Sequence, residues 1–235
     1  MTRGILVFCF DTEHTKYHRV LEKCVHLIKK NLKLEITVVT DYQTFKKIKP
    51  LGFINYKFIE PELGNKKNGA EWRNVDRHMA YELSPYDTTL VMDIDYFAFT
   101  DNLRQFLDTK YDFLVSKKAH DLTGNNSFDL RRFSMIEMVW ATVLIFRKGA
   151  KAQRVFDTVK YVKNHYSYFN ELYRIRAKNY SFVDYETLPI SLATLPPGCK
   201  ILKFEGNGLA WQDNDRIDYV YEQDVHVLNK ELTNV

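Results

Sequence analysis

The sequence predicts an α/β fold with a mostly parallel central sheet flanked by helices. Three observations carry this. Residues 5–10 are a continuous run of aliphatic and aromatic side chains, the pattern of a strand covered on both faces, as in parallel sheets. Next, Val20, Leu21, Cys24, Val25, Leu27 and Ile28 recur at helical spacing up to Lys29-Lys30-Asn31, and residues 34–40 resume as a β-branched strand ending at Asp41. A strand, helix, strand unit joins parallel strands by a crossover and collects ligands outside their carboxyl ends. Third, Leu90-Val91-Met92-Asp93-Ile94-Asp95-Tyr96-Phe97 reads as one buried strand that ends in two carboxylates spaced by one residue.

The other elements follow in order. Residues 56–59 are a third strand, and the polar, glycine-bounded stretch 61–69 is a loop. Residues 72–83 have helical character and stop at Ser84-Pro85. After the Asp93 strand come a short helix over 102–107 and a strand over 113–115. Residues 119–132, with Gly124-Asn125-Asn126-Ser127 and no periodicity, read as a long loop of the kind that covers active sites. Residues 139–146 form another strand, and Val155, Val159 and Val162 mark a helix reaching about residue 166. Residues 188–195 are helical, Pro196-Pro197-Gly198 is a turn, and 201–204 is the last short strand before a polar tail over 211–235. No repeat, low-complexity tract or linker divides the chain, so one domain over 1–235 is expected.

At 235 residues and 45% apolar, the chain can bury one large core. Cys9, Cys24 and Cys199 are odd in number and far apart, which excludes a disulfide framework or a zinc ribbon and fits a reducing compartment. The first apolar stretch breaks at Asp11-Thr12-Glu13, too short for a signal core or a membrane span. A soluble cytoplasmic protein is expected, in the host cytoplasm if viral. The formal charge of +4 is a mild bias toward anionic ligands.

Side chains alternate along a strand, so Asp93 and Asp95 are expected to project together while Ile94 points into the core. Two neighbouring carboxylates call for a cation. Hard ions such as Mn²⁺ or Mg²⁺ take carboxylate oxygens and keep positions open for phosphates, which makes a nucleoside diphosphate the natural third party. An Asp-x-Asp triplet alone also occurs as a turn cap.

Its context is more specific. The stretch Arg77-His78-Met79-Ala80-Tyr81-Glu82-Leu83-Ser84-Pro85-Tyr86-Asp87-Thr88-Thr89-Leu90-Val91-Met92-Asp93-Ile94-Asp95 resembles the central signature of GT-A glycosyltransferases, in particular the glycogenin-like retaining enzymes. The resemblance implies a GT-A (Rossmann-like) domain with a nucleotide-binding half over 1–95 and an acceptor half with the C-terminal tail over 96–235. It implies that Asp93 and Asp95 bind Mn²⁺ or Mg²⁺ and that Arg77 contacts a nucleoside-diphosphate sugar. Residues 139–146 resemble the family's pocket-lining strand, with Trp140 and Thr142 in place of its Asn and Gly. Asp184-Tyr185-Glu186-Thr187-Leu188 resembles the family's Asp-Gln-x-x-Leu motif. Asp184 there either presents oxygens to the donor sugar or caps a helix, or both, and Glu186 is an alternative acid or base. Val225-His226-Val227-Leu228-Asn229-Lys230 is similar to the late segment whose His completes the metal site and whose Lys meets the diphosphate, which implies His226 as a third metal ligand and Lys230 as a phosphate contact. The strand-end loops hold base and ribose in this family, which makes Asp11, Thr12 and Asp41 nucleotide contacts, with Tyr17 as a stacking group; turn formation is the other reading of each.

The expected reaction moves a sugar, hexosyl or pentosyl, from a nucleoside diphosphate, uridine by family default, onto an acceptor hydroxyl. Retention follows from the resemblance; inversion follows if Asp184 or Glu186 deprotonates the acceptor from the opposite face. The acceptor classes left open are a glycan or lipid-linked sugar, a hydroxylated base as in phage DNA glycosylation, and protein. Rings interleave with basic residues at Arg131-Arg132-Phe133 and across Tyr166, Tyr168, Phe169, Tyr173, Arg174, Arg176, Lys178 and Tyr180, which suits a nucleic acid with a base drawn out. The competing classes are a sugar nucleotidyltransferase, whose glycine-rich phosphate loop is missing after the first strand, and a non-catalytic nucleotide-sugar or nucleic-acid binding protein.

Overall fold

A computed structural model describes residues 1–12, 15–60, 66–67, 70–71, 74–108, 111–116, 140–166, 168, 201–204, 217–220 and 224–227. The chain begins with β1 (Arg3–Cys9), α1 (Tyr17–Leu27), β2 (Glu35–Thr40), a short α2 (Tyr42–Phe45) and β3 (Asn55–Phe58). A two-residue ribbon, β4 (Lys66–Lys67) with β5 (Ala70–Glu71), precedes a 3-10 segment (Asn74–Met79) that runs into α3 (Ala80–Leu83). Then come β6 (Thr88–Met92), β7 (Tyr96–Phe97), a 3-10 turn (Asn102–Asp108), β8 (Phe113–Ser116), β9 (Trp140–Arg147), α4 (Ala150–Asn164), β10 (Ile201–Phe204), β11 (Ile217–Val220) and β12 (Asp224–Val227).

Seven strands form the main sheet in the order β10-β8-β9-β6-β1-β2-β3. Only β9 runs against the others. The mostly parallel sheet is therefore as the apolar runs predict. Alternation along β1 explains why those runs are apolar throughout: Ile5, Val7 and Cys9 enter one core layer and Leu6, Phe8 and Phe10 the other. The first layer is closed by Val20, Leu21, Cys24 and Val25 of α1, the second by Ala152, Val155, Phe156 and Val159 of α4. Each fully buried aliphatic side chain contributes about 1.5–3 kcal/mol, so both helices are held by their apolar faces rather than by caps. Indeed neither α1 nor α4 has a side-chain hydrogen bond at its N-cap.

The crossover sense matters for function. The chain steps from β1 outward to β2 and β3 and then returns to the other side of β1 at β6. The crevice at the carboxyl ends of β1 and β6 is thus a topological switch point, where open α/β sheets bind ligands.

Four expectations change in detail. Residues 90–97 are not one strand: β6 ends at Met92, a turn closes with the Tyr96 amide donating to the Asp93 carbonyl at 3.1 Å, and β7 joins a different sheet. The reason is that Ile94, Tyr96, Phe97 and Ala98 all enter the α1-side core layer, whereas straight alternation would send neighbouring positions to opposite faces. The helix expected over 72–83 is largely 3-10, with one α turn before Ser84. Within the loop expected over 61–69, Lys66–Lys67 pairs with Ala70–Glu71 as a ribbon. The strand over 201–204, expected to be the last, is not: the tail supplies β11 and β12, and β12 pairs with both β11 and β7. The loop expected over 119–132, the helix over 188–195, and most of the aromatic and basic stretch over 161–185 lie outside the described residues.

Candidate functional site

The Asp93 turn is fixed from both core layers. The Asp93 amide donates to the Thr142 carbonyl of β9 at 3.0 Å, and Thr142 is itself buried. On the α1 side, Cys24 Sγ lies 3.8 Å from the Tyr96 carbonyl, Asn31 Nδ2 donates to the Ala98 carbonyl at 2.7 Å, and the Lys23 ammonium sits 5.5 Å from the Phe97 ring centroid. Asp93 and Asp95 project at the carboxyl end of β6 because this turn, not strand alternation, aims them. Both are partly buried.

Arg77 reaches them from the 3-10 segment on the α4 side of the sheet. Its Nη1 is 2.5 Å from Asp93 Oδ1, and its side chain is 6% exposed against 18% for Asp93. A charge so enclosed is stable only when paired. Tyr17 faces the same carboxylates from the α1 side. Burial, then the charges of Asp95 and Asp93, raise its phenol well above the ordinary tyrosine value. Cys24 is pushed up by burial first and then by the same two carboxylates. Asp93 and Asp95 therefore stand where the two core layers meet, with a cation on one side and neutral groups on the other.

The β1 and β2 ends carry a second polar cluster. Asp11, 7% exposed, accepts from the His18 amide at 3.0 Å through Oδ1, and through Oδ2 it bonds His18 Nδ1 at 2.8 Å and the Lys47 ammonium at 3.0 Å. The Asp11 amide donates to Thr44 Oγ1 at 2.9 Å, and Thr44 donates to Asp41 through its amide at 2.6 Å and its hydroxyl at 3.0 Å. Asp41 is thus the N-cap of α2. Thr12 closes the entry to α1, its amide donating to the Thr15 carbonyl and its Oγ1 accepting from the Thr15 amide, each at 3.0 Å. The turn-forming reading holds for Asp11, Thr12 and Asp41; all three also line the switch-point end of the sheet. His18 and Lys47 escaped sequence reasoning. An Asp followed seven residues later by a His at a helix start was the available signal for the first, while Lys47 gave none.

His226 lies on β12, whose register pairs it with Tyr96, the residue after Asp95. A segment about 130 residues downstream thus runs beside the Asp-x-Asp turn. Asp184, Glu186 and Lys230 lie outside the described residues. Among the described residues no group of three or more His, Cys, Asp or Glu side chains is arranged to hold a metal. Asp93 and Asp95 alone fit a hard divalent ion in donor type, since Mg²⁺-like ions are held by one or two carboxylates with waters and substrate phosphates completing the shell. Among the described residues no helix is long and apolar enough to cross a membrane.

No protein-family model and no curated protein matches the sequence. In structure, the chain is similar to the galactosyltransferase LgtC in complex with donor and acceptor sugar analogs, with a TM-score of 0.50 and 16% identity over 69% of this chain and 65% of that one. It is similar to an active-site mutant of LgtC with a TM-score of 0.51 and 14% identity, over 70% of this chain and 64% of that one. For the glycosyltransferase GlyE of Streptococcus pneumoniae TIGR4 the TM-score is 0.48 at 14% identity, over 87% of this chain and 46% of that one. The chain thus spans just under two thirds of the length of LgtC. At these identities the likeness is one of fold, and the fold is the GT-A fold that the resemblance implied.

Proposed function

We propose that this protein is a metal-dependent glycosyltransferase that moves a sugar from a nucleoside diphosphate, UDP by default, to an acceptor hydroxyl. The single observation that carries the reading is the Asp93-x-Asp95 turn at the switch point, held beside the enclosed Arg77 guanidinium. Its support is chemical. Paired carboxylates suit an ion that must also take phosphate oxygens, and Arg77 adds a fixed positive charge next to the position where a departing diphosphate would lie.

In this reading Asp93 and Asp95 hold Mn²⁺ or Mg²⁺, and His226 adds a ligand from the tail strand. Bound there, the ion supplies charge neutralisation to the leaving diphosphate. Arg77 orients Asp93 and lies beside the donor phosphates; Lys230 is assigned to the same phosphates. Tyr17, together with Asp11, Thr12 and Asp41, forms the base and ribose end. Asp184 and Glu186 are assigned to the sugar and acceptor side, where one of them holds the acceptor proton if the reaction inverts. The ordered turn and buried Arg77 need no rearrangement to present charge, which is the requirement for electrostatic preorganisation.

The test is to incubate the protein with a set of nucleotide sugars and Mn²⁺ and identify the products. Free nucleoside diphosphate, lost in Asp95→Asn, is the expected result. Pyrophosphate would identify a nucleotidyltransferase, and no product with retained binding would identify a non-catalytic binder.

A further inference from the structure

A surface outside the cleft has its own chemistry. Residues 41–60 hold five aromatic rings and four lysines. Of the seven large apolar or aromatic side chains most exposed among the described residues, three fall here: Tyr42 at 56%, Phe53 at 102% and Phe58 at 52%. Solvent-facing rings at this density lose hydrophobic free energy unless something covers them. They are ordered rather than loose. Phe45 backs the group, with its ring centroid 5.1 Å from Phe58 and 4.9 Å from Tyr56, while Tyr42 meets Phe58 edge-on at 6.3 Å.

The charges point to what covers them. Asp41 is used by Thr44, Lys47 by Asp11, and Lys49 by Glu22 at 3.7 Å. Lys46 and Lys57 have no carboxylate within ion-pair distance among the described residues, and the Lys46 ammonium stands 4.4 Å from the Tyr42 ring centroid. Exposed rings beside the uncompensated Lys46 ammonium complement a ligand that has both flat π faces and negative charge; Lys57, next to Phe58 in β3, leaves the other face of the sheet. Nucleic acid with unpaired bases has both, whereas a neutral glycan has no charge and a second copy of this face would repel itself.

Position links this surface to the cleft. Tyr42 follows the carboxyl end of β2 and Phe58 ends β3, the terminal strand of the sheet, with the Ile59 amide still bonded to the Thr40 carbonyl at 3.1 Å. This is the same rim that carries Asp11 and Asp93. Three strand spacings separate β3 from β6, about 15 Å, a few nucleotides of single strand.

We propose that the β2–β3 rim binds single-stranded nucleic acid, with unpaired bases stacked on Tyr42 and Phe58 and a phosphate held by Lys46, and that it thereby presents a nucleic-acid acceptor to the cleft. The second clause rests on the transferase reading; the binding does not, and it is measured without any donor.

The experiment titrates the full chain into a fluorescein-labelled oligothymidylate of about a dozen nucleotides and follows anisotropy over a series of salt concentrations. Binding should weaken with salt, with the slope of log K against log salt reduced by about 0.7 in Lys46→Ala, for one lost phosphate contact, and unchanged in Lys57→Ala. Tyr42→Ala and Phe58→Ala should each weaken binding roughly tenfold. Because Phe58 also packs on Phe45, circular dichroism checks each variant, and Phe53→Ser, at a fully exposed ring, gives a fold-neutral arm that should lower affinity less than Tyr42→Ala. No binding at low salt overturns the proposal, as does binding unchanged in the ring variants or equal affinity for a duplex of the same length. Sedimentation of a dimer that dissociates in Tyr42→Ala/Phe58→Ala also overturns it, by making a second copy the occupant.

Discussion

Arg77 holds Asp93 through a 2.5 Å contact from Nη1 to Oδ1 while being almost wholly enclosed itself. One carboxylate of the Asp-x-Asp turn is therefore not a loose surface acid. It is oriented by a cation from the opposite side of the sheet from α1, and its backbone is tied to Thr142.

Removing that cation should damage both stability and activity. Arg77→Ala takes the guanidinium from a partly buried Asp93, and should cost about 2–3 kcal/mol, somewhat below the ~3–5 kcal/mol of a fully buried pair because Asp93 keeps some water. Urea denaturation measures this. Arg77→Lys should recover much of the stability but not the nucleotide-sugar turnover, because an ammonium lacks the planar fork of the guanidinium.

Gly4 is required by a close approach. A Cβ built there would fall 2.3 Å from the Tyr86 ring, and Tyr86 cannot swing away because it is 2% exposed and its hydroxyl lies 2.9 Å from Thr37 Oγ1. Gly4→Ala should destabilise the sheet centre by at least about 2 kcal/mol, while Tyr86→Phe should cost only about 1 kcal/mol for the lost hydrogen bond. Thermal denaturation of the two variants gives the order.

Alkaline pH should unfold the protein before its buried phenols and thiols ionise. Burial raises Cys9, Cys24, Tyr17, Tyr56 and Tyr86 above their ordinary values. With the folded pKa above the unfolded one, the stabilisation is complete below the unfolded values, near pH 8.5 for thiols and 10 for phenols, and is lost as pH rises beyond them because the unfolded chain ionises first. Each such group steepens the loss by up to about 1.4 kcal/mol per pH unit. Urea midpoints should be flat from neutrality to about pH 8.5 and fall above it, and Cys9 and Cys24 should resist thiol reagents until unfolding.

Particular residues show what the sequence made legible. Ile5 to Phe10 announced a strand covered on both faces because each parity enters its own core layer. The helix periodicity of Val20, Leu21, Cys24 and Val25 was equally plain, since burial alone specifies it. The break after Met92 was hidden, because a run of apolar residues does not reveal that Tyr96 and Phe97 leave the main sheet for β12. That pairing is with residues far along the chain, so the β-branched residues at 217–227 do not by themselves reveal which strand they join. The site was legible in its acidic turn and in Arg77, while the contacts of Asp11 with His18 and Lys47 depend on tertiary packing across two loops.

Calorimetry of a nucleoside-diphosphate sugar binding to the protein, with and without Mn²⁺ and repeated on Asp95→Asn, tests the metal-bridged donor site most directly. Binding that requires the ion and is lost in Asp95→Asn, with the thermal stability of that variant unchanged, is the predicted result. Association that is equally strong without the ion, or unaltered by loss of the Asp95 carboxylate, would contradict it.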